Sequence, residues 1–109
     1  MPKSNKQERE IADYLNGKVQ SNSGGTKFGG GDIHTPRFFI EAKSHTEEKS
    51  SFTVPKKWLE KAKEQAFEQG KNRWALAIRY SEADTDYFII SRSEMIEYQS
   101  LLDSTFLEE

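Results

Sequence analysis

The chain has 109 residues, of which 34% are hydrophobic, 31% charged and 12% aromatic, with a formal net charge of −2 and no cysteine. That length supports one domain with a single modest core, and the missing cysteines exclude disulfides and thiolate metal sites. No 18-residue apolar run and no signal-peptide core is present, which predicts a soluble, cytoplasmic protein with no membrane partner.

Residues 4–17, SNKQEREIADYLNG, place Ser4 and Gln7 in capping-box register and end at Asn16-Gly17, predicting a helix of about three turns. Ile11 and Leu15 lie one turn apart on a face able to pack, with Glu8 one turn before them. KVQSN is a short strand candidate, and SGGTKFGGG, residues 23–31, is predicted to be a flexible loop because it holds five of the seven glycines. GDI and RFFIEAKS flank HTP and read as a β-hairpin over residues 31–44. Pro55 suits the first position of a helix and Gly70 the residue past its end. On that helix Trp58, Ala62 and Gln65 share a face, widened by Leu59, Ala66 and Phe67. RWALAIRY and YFIIS are two further strands. SRSEMIEYQSLLD opens with Ser91 and Glu94 in capping-box register and carries Met95, Tyr98, Leu101 and Leu102 as an apolar stripe. The order α-β-β-β-α-β-β-α predicts an α/β fold, a single domain over residues 1–109 with a mixed sheet flanked by helices.

Charge is unevenly divided. Residues 1–80 hold 15 basic and 10 acidic side chains, whereas residues 81–109 hold one basic and eight acidic. The basic part suits a phosphate-rich partner, although such a run also serves as an ordinary solvated face.

Within FFIEAK, alternate side chains face opposite ways, so Phe39, Glu41 and Lys43 share one face while Phe38, Ile40 and Ala42 form the core face. A turn from His34 to Arg37 pairs Asp32 with Phe39 and makes Glu41 the diagonal neighbour of Asp32, and a slip of two residues preserves their convergence. Two carboxylates without a nearby histidine suit a hard cation, Mg²⁺ with Mn²⁺ as a substitute, and Lys43 stands beside them to offset charge developing on a phosphate. The same residues also fit a Glu–Lys surface pair on an edge strand. His34 and His45 flank the strand, one in the turn and one just past its end, and read as exposed or phosphate-contacting.

GDI…FFIEAKS resembles the D…(E/D)xK core of the PD-(D/E)XK nuclease superfamily, with glycine in place of the eponymous proline. EREIADYL is similar to the first-helix pattern of archaeal-type Holliday junction resolvases, with Glu8 at the position of a glutamate that joins the metal site. QSNSGG resembles the serine-bearing loop after the first strand, Ser23 matching better than Ser21, and KEQAFEQG resembles the helix in which a glutamine sits by the catalytic lysine, here Gln65. The element order corresponds over roughly residues 4–103. The resemblance implies a restriction-endonuclease-like fold and a metal-dependent, structure-selective DNA endonuclease, of cellular or phage origin. Its metal site would be Asp32, Glu41 and Glu8, and its catalytic set those three with Lys43, Gln65 and Ser23. Branched DNA and a homodimer would be its partners, without a nucleotide cofactor.

On this reading Lys27, Phe28, Lys56, Lys57, Lys61, Lys63, Lys71 and Arg73 would meet DNA, and the dimer interface would use aromatics near Trp74 and Phe88. Two alternatives stand beside it: a nuclease of the same fold acting on duplex, nicked or flap DNA, and a DNA-binding subunit that has lost cleavage. By itself Glu8 reads as a surface acid, Ser23 as a loop serine, and Gln65 as an amide satisfying a strand edge.

Overall fold

A computed structural model describes residues 6–20, 32–45, 47 and 50–107. The elements are α1 (Lys6–Tyr14), β1 (Lys18–Gln20), β2 (Asp32–His34), β3 (Phe38–Ser44), α2 (Lys56–Glu68), β4 (Arg73–Arg79), β5 (Tyr87–Ile89) and α3 (Arg92–Leu107). The five strands form one mixed sheet in the order β1-β2-β3-β4-β5, antiparallel except for the parallel pair β3 and β4, which α2 connects. The expected α/β class and element order are therefore observed.

Both faces of β3 are covered. On one face Ile33, Ile40, Ala42, Ala75 and Ala77 pack with Ile11 of α1. On the other Phe39, fully buried, packs with Ala62 and Ala66 of α2 and with the half-buried Trp74. The expectation of a single core face is thus corrected: a strand whose parallel neighbour is reached through a helical crossover is roofed on the crossover side as well.

The hairpin register also differs from the expected one. Asp32 pairs with Glu41, Ile33 with Ile40 and His34 with Phe39, a slip of two residues that leaves Pro36-Arg37 at the tip. The Thr35 hydroxyl accepts hydrogen bonds from the amides of Arg37 and Phe38, at 3.3 and 2.9 Å, and so closes a tighter turn than the four residues expected.

Helix α1 stops where expected, with the exceptional backbone at Asn16 (φ 55°) and with the Gly17 amide donating to the Ala12 carbonyl at 2.7 Å. Gly17 is required for space. A Cβ there would lie 2.9 Å from the His34 carbonyl oxygen and 3.1 Å from side-chain carbons of Ile33 and Thr35. Gly17→Ala is expected to destabilise the fold by about 1–3 kcal/mol through this overpacking, measurable as a lower denaturant midpoint.

Ser4, the expected capping-box partner of Gln7, lies outside the described residues; the Gln7 amide nitrogen donates to the Lys43 carbonyl at 3.1 Å and to Asp86 Oδ1 at 3.1 Å. At α2, Pro55 sits at the N-cap (φ −63°, ψ 139°), one residue before the helix, and Gly70 (φ 73°) follows its end. Phe67, expected in the apolar stripe, is 83% exposed because its side of α2 faces away from the sheet. Helix α3 is capped by Ser91, whose hydroxyl accepts from the Glu94 amide at 3.2 Å. Its stripe is not buried, and Met95, Leu101 and Leu102 remain 56–66% exposed. A period of 3.6 identifies an apolar face but not what covers it. Among the described residues, no helix is long and apolar enough to cross a membrane.

Candidate active site

Strand pairing puts Asp32 directly across from Glu41, so both side chains rise from the α2 face of the sheet, and Lys43 follows two residues later on the same face. Glu41 is 5% exposed; its Oε1 lies 3.5 Å from Lys43 Nζ, while Oε2 is buried without a hydrogen-bond partner. The lysine ammonium also lies 4.7 Å from the Trp58 ring centroid, a cation–π contact that fixes it from the helix side. The lysine is therefore held between a carboxylate and an indole.

Burial raises the Asp32 carboxyl to about 6; Glu41 adds to the rise, Lys61 opposes it, Glu8 adds less and Lys43 opposes it least. A carboxyl pushed up by desolvation and a neighbouring carboxylate marks a place where positive charge is in deficit. The orphaned Glu41 oxygen and the oxygen-only donor set of Asp32 and Glu41 fit a hard divalent cation.

Glu8 is 1% exposed, which corrects its reading as a surface acid, and it acts electrostatically on Asp32. It does not join a ready ligand cluster: among the described residues, no three His, Cys, Asp or Glu side chains gather closely enough to hold a metal ion. Gln65 is half-buried on α2, and its Oε1 is buried without a partner, so its amide faces inward as expected. His34 lies in β2 with its ring 5.4 Å from Phe39, edge to face, and its imidazole is held below its ordinary value, first by burial and then by Lys71. Ser23, Lys27, Phe28 and the glycine-rich loop 23–31 lie outside the described residues.

Of the cations expected at DNA, Lys56, Lys57, Lys61 and Lys63 are exposed on α2. Lys71 donates to the Thr35 carbonyl at 2.7 Å. Arg73 is bound to Glu94 at 2.7 Å and to Glu97 at 2.9 Å. Its position opposite Phe38 in β4 places it at the far end of the sheet from Lys43, where it anchors α3. The pair chosen for an interface also separates, since Trp74 lies on the α2 face whereas Phe88, opposite Ala77, lies on the α1 face.

Sequence reasoning missed a buried polar cluster under the site. Arg79, 3% exposed, donates through Nε to Asp86 Oδ1 at 2.9 Å and pairs with Glu10, while the Tyr14 hydroxyl donates to Asp86 Oδ2 at 2.7 Å. Hydrogen bonding to Asp86 holds the Arg79 guanidinium above its usual range, and burial followed by the Asp86 bond raises the Tyr14 phenol. An arginine ending an apolar strand was the available signal, since such a charge needs a partner. No protein-family model matches the chain, and no curated protein and no solved structure matches it.

Proposed function

We propose that the protein is a metal-dependent, structure-selective DNA endonuclease of the Holliday junction resolvase type. The observation that carries this reading is the direct pairing of Asp32 with Glu41, with Lys43 on the same face and a buried Glu41 oxygen left without a partner. Asp32 and Glu41 would hold Mg²⁺ or Mn²⁺, with Glu8 supplying further negative charge behind them. When bound, the cation supplies Lewis-acid charge at a phosphodiester.

The protein groups have their own tasks. Lys43, oriented by Glu41 and Trp58, donates hydrogen bonds toward the attacking water or a non-bridging phosphate oxygen, where negative charge builds up. Gln65 offers its amide from α2 to position that water. The exposed lysines of α2 meet flanking phosphates.

A four-way junction is two-fold symmetric and one chain carries one site, so the reading requires a homodimer. The open α3 residues Met95, Ile96, Leu101 and Leu102, beside a groove of about 710 Å³ lined by Phe38, Phe88, Ile90 and Tyr98 among others, offer apolar surface for a second copy.

The test is Mg²⁺-dependent cutting of a four-way junction beside linear duplex of the same sequence. Junction cutting is expected to dominate, and Lys43→Met to lower it by about 10²–10³-fold with junction binding kept within a few-fold. Equal cutting of both DNAs would remove the junction preference, and junction binding without cutting would leave a DNA-binding subunit.

A further inference from the structure

Beside Lys43, where β3 ends, a cleft of about 790 Å³ opens between the strand end, the segment 51–55 and the start of α2. Its walls are aromatic and basic. Lys43, His45, Phe52, Thr53, Lys57 and Trp58 line it, and no described Asp or Glu does. The His45 and Phe52 rings lie 4.3 Å apart at 37°, and Trp58 stands edge-on to Phe52 at 6.2 Å. Phe52 also meets Tyr80 at 6.1 Å, and Tyr80 meets Tyr87 at 5.9 Å, so the rings run from the cleft to Tyr87, which is 51% exposed. Phe52, Trp58 and His45 are only half-buried, and solvent reaches them.

We infer that this cleft binds an unpaired nucleotide of single-stranded DNA next to the scissile phosphate, its base stacked on one of the two crossed rings, Phe52 or Trp58, with the other meeting its edge, and its phosphate facing Lys57. The inference rests on the nuclease reading for the word scissile, but the stacking itself does not need it. Aromatic faces combined with cationic side chains, and no carboxylate among the described lining residues, match a single strand, whose bases present free π-faces and whose backbone is anionic. A paired base in duplex has both faces covered by its neighbours and could not enter. The volume falls within the range of about 300–1,000 Å³ usual for ligand pockets. Because Trp58 also holds Lys43, a base stacked there would place the adjoining phosphate beside the lysine. The protein would thus select DNA that is splayed or unpaired at the cut.

The experiment uses a short oligothymidylate carrying one 2-aminopurine, free or annealed as blunt duplex, titrated with the whole chain in EDTA so that nothing is cut. Quenching of the 2-aminopurine and at least tenfold tighter binding of the single strand are expected. Phe52→Leu and Trp58→Leu should each weaken single-strand binding by about 5- to 150-fold, the range that loss of one base–aromatic stack gives. Lys57→Ala, on an exposed lysine that the fold does not use, should reduce the salt dependence by about one phosphate contact. Equal affinity for the two DNAs, no quenching by the wild type, or full single-strand affinity in folded Phe52→Leu and Trp58→Leu would overturn the inference. The outcomes separate from the nuclease reading: quenching by a protein that cuts no DNA keeps the cleft and removes the enzyme, whereas cutting without quenching does the reverse.

Discussion

Asp32→Asn is expected to abolish Mg²⁺-dependent cutting, by about 10²–10³-fold or more, while making the metal-free protein more stable at neutral pH. The two effects share one cause. In the folded chain the Asp32 carboxyl is raised to about 6 from an ordinary 3.8, chiefly by burial and then by Glu41. Below pH 4 the group is protonated in both folded and unfolded chains and contributes nothing. Between about 4 and 6 the unfolded chain gives up the proton while the folded chain retains it, so stability falls as pH rises, and above 6 the full penalty is present.

After allowance for solvent screening of this half-exposed group, the penalty is roughly 1–2 kcal/mol. Thermal melts in EDTA at pH 4 and pH 7.5 check it. The asparagine variant should match the wild type at the lower pH and exceed it at the higher. A variant that loses cutting and is less stable at both values would contradict the strained carboxyl pair.

Arg79→Met is expected to produce the largest loss of stability, about 3–5 kcal/mol, because it strands a buried Asp86. The side chains of Arg79 and Asp86 are 3% and 2% exposed, and Asp86 is also the acceptor for Tyr14 and Gln7. A loss of this size lowers Tm by at least about 10 °C in a domain of this length. The double variant Arg79→Met/Asp86→Leu should recover part of it, since removing both charges leaves nothing uncompensated. Should the double variant be as unstable as the sum of the singles, the pair would not be acting as a unit.

These residues show what could be read from the chain and what could not. The alternation of FFIEAK located Glu41 and Lys43 on one face, and the convergence of Asp32 survived the two-residue slip that the structure shows. The actual register depended on the Thr35 hydroxyl closing the turn, a side-chain bond that strand patterning does not encode. The helices were legible from caps and period, yet Phe67 and the α3 stripe were assigned to a core they do not enter. Periodicity describes one element, whereas burial depends on another element being there. The bonds that Gln7 and Arg79 make to Asp86 escaped notice for the same reason, since that partner lies 79 and 7 residues away. Trp58 was placed on an inward face, but its contact with Lys43 needed the crossover geometry.

The clasp between Gln7 and Asp86 joins positions 79 apart in sequence. During synthesis the first helix is made before Asp86, and it waits for that partner while the residues between them are added. Until then Ile11 in the core and the Gln7 bond to the Lys43 carbonyl are left to hold the helix on the sheet. A nascent or truncated chain ending before Asp86 therefore has a first helix, and Glu8 on it, tied to the sheet by one side-chain bond fewer.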